Sequence, residues 1–140
     1  FYFGDNSNEK LYTKYFKPDP GLPTTMSSNT NFEFYDAMVN YKQGDYKVAI
    51  KKWTALLENN AVNDTLNYFL GMAYLANKNE KVAIPLFKTV TKNRNSYFKN
   101  DAYYYLGLAY LKSGNVQLAK KNLTFSTLDN SKSLLSELSN

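Results

Sequence analysis

The sequence predicts an all-α solenoid of three helix–turn–helix units, and three observations carry that prediction. Three segments align without gaps: residues 34–49 (FYDAMVNYKQGDYKVA), 68–83 (YFLGMAYLANKNEKVA) and 104–119 (YYLGLAYLKSGNVQLA). Their closing alanines, Ala49, Ala83 and Ala119, are spaced 34 and 36 residues apart. A small residue (Ala37, Gly71, Gly107) stands twelve positions before each alanine, where two helices need close backbone approach. Self-similarity at this period marks units that bury their apolar faces on one another.

Within each unit, Gly44-Asp45, Lys78-Asn79 and Gly114-Asn115 mark the turn, with Asp or Asn placed to cap the second helix. Trp53, Phe87 and Leu123 follow the alanines by four residues, on the same helix face, as core residues. Pro85 removes one backbone hydrogen bond near the start of its helix and predicts a mild bend. The units span about 31–63, 64–99 and 100–129. An N-terminal arm and proline-rich linker occupy 1–30 and a capping helix 130–140.

Leu70-Gly71 with Tyr74, Ala83 and Phe87, and Leu106-Gly107 with Tyr110 and Ala119, resemble the tetratricopeptide repeat (TPR) pattern. The first unit departs from it, with Asp36, Ala37 and Asn40 where Leu, Gly and Tyr stand in the pattern. A terminal unit lacks one neighbour, so polar residues there are tolerable. The resemblance implies a right-handed α-α superhelix whose first helices line a concave surface, and a protein-binding role without cofactor or metal. By alignment the lining is Phe34, Met38 and Tyr41, then Tyr68, Met72 and Leu75, then Tyr104, Leu108 and Leu111. Each trio follows i, i+4, i+7 spacing and forms one stripe, either part of the core or an apolar groove for a partner segment.

At the N-terminus, Leu11, Tyr12, Tyr15 and Phe16 have helical spacing, and Lys17-Pro-Asp-Pro-Gly-Leu-Pro23 then stops the helix. Thr24 to Thr30 reads as a polar linker. Residues 11–20 (LYTKYFKPDP) are similar to a segment that follows a single transmembrane helix in membrane-anchored TPR proteins of Bacteroidota. That similarity implies a periplasmic domain tethered to the inner membrane. A cytoplasmic location is the alternative. A chain starting at Phe1 without methionine implies an upstream segment. Leu134, Leu135 and Leu138 lie on one side of the C-terminal segment, as a helix covering the last unit requires.

Composition narrows the chemistry. With no cysteine and no histidine, disulfides, thiolate or imidazole catalysis and His/Cys zinc sites are excluded. Glu33 with Asp36 could share a helix face, but nothing in the sequence separates their pKa values, and the same holds for Asp101 beside a tyrosine. An enzyme is therefore not expected. Asp5-Asn-Ser-Asn-Glu9 lacks the glycine and distal glutamate of a calcium loop, and a polar mobile terminus is the expectation. The net charge of +5 is concentrated at Lys78, Lys81, Lys88, Lys92, Arg94 and Lys99. A solvated helix face explains this, with nucleic-acid binding as a minor reading.

Two functions remain. Either the groove receives a partner protein or peptide, with aromatics and methionines as anchors, or it is filled by the chain's own N-terminal arm or a second copy. A charged groove clamping a C-terminal carboxylate is not expected, because the lining is apolar and aromatic, with Lys42 and Lys112 only at helix ends.

Overall fold

The computed structural model describes residues 3–24, 32–60 and 62–139. Its elements are eight helices: α1 (Phe3–Tyr15), α2 (Phe32–Lys42), α3 (Tyr46–Leu57), α4 (Asp64–Ala76), α5 (Glu80–Thr91), α6 (Lys99–Lys112), α7 (Val116–Thr124) and α8 (Asp129–Ser139). Helices α2/α3, α4/α5 and α6/α7 form three successive pairs, and α8 packs on α7. The fold is an α-α solenoid.

Small residues set the spacing within the pairs. A Cβ on Gly71 would lie 3.1 Å from the Phe87 ring, and one on Gly107 would lie 2.5 Å from Leu123. The large residue of α5 and of α7 therefore seats against the missing side chain of the helix before it. Trp53, Phe87 and Leu123 are fully buried, as their spacing predicts.

The turns are less uniform than the alignment suggests. Gly44 and Gly114 adopt positive φ, and in the middle unit Lys78 takes the same role at φ 66° without being glycine. Only Asn115 of the three expected caps accepts a bond from its helix, from the Leu118 amide at 3.1 Å; Asp45 and Asn79 make no side-chain cap bond. Helix α5 runs through Pro85 to Thr91.

The polar departures of the first unit have a local cause. Asp36 and Asn40, one turn apart on α2, both accept from the Lys52 ammonium of α3, at 2.7 and 2.8 Å. An exposed pair of this kind contributes little, about 0.2–1 kcal/mol, and serves mainly to join the two helices.

At the C-terminus Leu134 is fully buried, and Ser131 donates to Ser126, which donates to the Asn100 carbonyl at 3.0 Å. This short chain of hydroxyls fastens the α7–α8 connection to the start of α6.

The N-terminus differs from expectation. Residues 5–9 belong to the first turns of α1 rather than to a mobile tail, and α1 packs on α6 and α8. Its docking on the solenoid lets the weakly amphipathic segment persist as helix, since tertiary contact outweighs propensity. The linker expected over 24–30 lies, apart from Thr24, outside the described residues.

Candidate interaction groove

After α1 the chain continues as an extended segment, residues 16–24. Prolines 18, 20 and 23 cannot donate a backbone hydrogen bond, so this stretch presents chiefly carbonyl acceptors. The repeats supply matching donors. Tyr104 donates to the Tyr15 carbonyl at 3.3 Å and Tyr105 to the Lys17 carbonyl at 2.7 Å. Tyr41 donates to the Asp19 carbonyl, and the Lys42 ammonium to the Leu22 carbonyl at 3.1 Å. Tyr68 donates to the Asp19 carboxylate at 2.8 Å. The donors come from α6, then α4, then α2, so the segment crosses the first helices in the reverse of their order in the chain.

Asp19 is the hinge of this arrangement. Its second carboxylate oxygen accepts from the Gly21 amide at 2.9 Å, closing a turn on itself. Gly21 sits at φ 96°, and a Cβ there would meet the Met38 sulfur at 2.9 Å, so both backbone conformation and space require glycine.

Apolar contacts flank the polar ladder. Tyr12 stacks on Phe16 at 5.1 Å, Phe16 meets the Tyr105 ring edge-on at 6.1 Å, and the Lys112 ammonium lies 5.0 Å from the centre of the Tyr12 ring. At the far end Glu137 of α8 accepts from Lys14 at 2.9 Å and from Tyr15.

The nine residues aligned as a groove lining thus occupy different places. Tyr41, Tyr68 and Tyr104 donate to the arm, and Met38 lies under Gly21. Met72, Leu75, Leu108 and Leu111 are buried in the continuous core. Phe34 is only half-buried, stacks on Trp53 at 5.5 Å, and borders a polar cleft with Leu22, Glu33 and Asn63 at the open edge of the first unit. Sequence alignment missed Tyr105, Lys42 and Asp19 as groove residues. The run Tyr103-Tyr104-Tyr105, richer in hydroxyls than a core needs, was the available signal.

Electrostatics follow from burial. The hydroxyls of Tyr41, Tyr68 and Tyr105 are pushed well above the usual tyrosine range by burial first and by the Asp19 charge second. Burial does the same to Tyr12, with a contribution from Glu80, and raises Tyr104 to about 12. The Asp101 carboxyl is raised by partial burial and by Asp19, against a smaller lowering by its own amide. Exposed Glu137 is lowered by the hydrogen bonds from Tyr15 and Lys14.

A pH dependence follows. Unfolded tyrosines ionise near pH 10, and the folded values here are higher. The stability these groups confer is full below about pH 10 and is lost as pH rises through the folded values. Absorbance titration at about 295 nm is expected to show Tyr12, Tyr41, Tyr68, Tyr104 and Tyr105 ionising only above the ordinary tyrosine range, together with base-induced unfolding. Ionisation of these five near pH 10 in the folded protein would contradict the buried ladder.

The helical repeats that carry this ladder match the tetratricopeptide repeat family over residues 37–98 and 81–119, together more than half of the chain. The chain belongs to the tetratricopeptide repeat family. TPR domains in general bind protein partners and are typically non-enzymatic scaffolds. No curated protein matches this TPR chain in sequence.

Proposed function

We propose that this TPR domain is a protein-interaction scaffold whose concave groove is closed by its own N-terminal arm. The observation that supports this is the ladder of four tyrosine hydroxyls and one lysine on residues 15–22, reaching all three units. Each neutral hydrogen bond contributes about 0.5–1.5 kcal/mol net, so the ladder and the buried Tyr12 side chain together outweigh a chance surface contact. Of the two readings of the groove, the self-filled one is favoured by this geometry over a vacant one. A setting tethered to a membrane in the periplasm, implied by the motif at 11–20, remains part of the proposal. Among the described residues no helix is long and apolar enough to cross a membrane.

The test uses the absence of native cysteine. Leu22→Cys with Lys42→Cys, treated with a short bismaleimide in dilute solution, is expected to give an intramolecular crosslink in high yield. The control pair, Leu22→Cys with Lys121→Cys on α7, is expected to give little. Equal yields from the two pairs would mean that the arm does not occupy the groove.

A further inference from the structure

We propose that the arm is an internal competitor, and that the groove accepts a foreign segment of the same chemistry in its place. This rests on the reading that the arm closes the groove. The arm shows which positions are recognised. Tyr12 is buried, Phe16 packs on Tyr105, Asp19 meets Tyr68, and Gly21 fits against Met38. Lys17 and Pro20 are exposed, and the other polar contacts within the groove go to main-chain carbonyls that any sequence would present, with Lys14 and Tyr15 bonded outside it to Glu137 of α8. The partner segment is therefore one helical turn bearing aromatics at i and i+4, followed by an extended stretch with Asp at i+7, Gly at i+9 and Leu at i+10.

Vacating the groove strands no buried charge. The exposed donors would be tyrosine hydroxyls and one lysine, all of which water can satisfy. The outer fastening of the arm, Lys14 to Glu137, is largely solvent-exposed. These features make the arm a ligand that can leave.

A tethered competitor acts at an effective concentration of order millimolar, so it weakens apparent affinity by the fraction of open molecules. The probe is a fluorescein-labelled peptide of residues 9–24, titrated into the full chain and followed by anisotropy. In the full chain carrying Tyr12→Ala and Phe16→Ala the peptide is expected to bind at least about tenfold more tightly than in the wild type. Lys14→Gln with Glu137→Gln, which removes the ion pair at the end of the arm and leaves Tyr15 a neutral acceptor, is expected to tighten binding about two- to threefold without affecting folding. The peptide carrying Asp19→Ala is expected to bind at least about fivefold more weakly.

Unchanged affinity in both arm variants, or indifference to Asp19→Ala, would overturn the proposal. A concentration-dependent dimer of the wild-type chain that the peptide dissolves would also overturn it, because the second occupant would then be another copy's arm. Failure of the peptide alongside a positive Leu22–Lys42 crosslink would remove only displacement and leave the closed groove standing.

Discussion

Removal of residues 1–22 is expected to lower the stability of the chain by about 2–4 kcal/mol and its thermal midpoint by roughly 6–12 °C. The loss combines the apolar contacts of Tyr12, Phe16 and Leu22 with the hydrogen bonds to Tyr41, Tyr68, Tyr104, Tyr105 and Lys42. The entropy regained by freeing the arm offsets part of it, which keeps the figure well below the gross burial. A second signature separates this from simple loss of mass. Solenoid units contact only their sequence neighbours, so cooperativity passes through one interface at a time. The arm touches α2, α4, α6 and α8 and so links the first unit directly to the third. Without it the denaturant transition is expected to broaden as well as shift, as the first and third units separate in stability. Urea titrations followed by Trp53 fluorescence for the first unit and by circular dichroism for the whole chain measure both effects. Coincident, unshifted curves would show that the arm contributes nothing to the fold.

Replacement of Tyr68 by alanine is expected to be the most damaging single change in the groove, at about 3–5 kcal/mol. The ring is fully buried, stacks on Phe98 at 4.5 Å, and meets Phe69 at 5.0 Å, Phe87 at 5.9 Å and Tyr105 at 6.3 Å. Its loss opens a cavity where the second and third units join. Tyr68→Phe isolates the hydroxyl. It preserves the packing but leaves the Asp19 carboxylate without its 2.8 Å donor, at an expected cost of about 1–3 kcal/mol. The phenylalanine variant should also be less sensitive to a further Asp19→Asn change, which then perturbs only the bond from the Gly21 amide. Equal costs for the alanine and phenylalanine variants, measured by chemical denaturation, would mean that the aromatic cluster is not the core of the unit interface.

The repeat phase was legible in the sequence because it depends on spacing alone. Ala37, Gly71 and Gly107 mark where helices approach, and Trp53, Phe87 and Leu123 mark what fills the gap. The first-helix stripe was read from the same spacing; three of its members, Tyr41, Tyr68 and Tyr104, donate to the arm, and Met72, Leu75, Leu108 and Leu111 lie in the core. What covers that stripe was far less readable. Four of the ladder's acceptors are main-chain carbonyls, which carry no residue signature. The fit of Gly21 over Met38 is a meeting of two sites that local pattern cannot relate. The α1 helix was understated because its first turns are polar, and its stability comes from α6 and α8 rather than from its own residues. Lys78 at positive φ shows the same principle at a turn, where the two packed helices impose a conformation that the residue does not favour.

The order in which the chain is made gives the arm a further consequence. Its partners Tyr104, Tyr105 and Glu137 lie 88 to 123 residues downstream of the atoms they hold. Contacts of such sequence separation close late, whereas the helix pairs form from near neighbours. On a ribosome the arm emerges before the repeats and must wait for α6 and α8 to be made before it can dock fully. Throughout that interval the tyrosine face is assembled and bare, the period in which a newborn molecule is most open to capture by another segment. Docking of the arm thus follows assembly of the repeats that receive it.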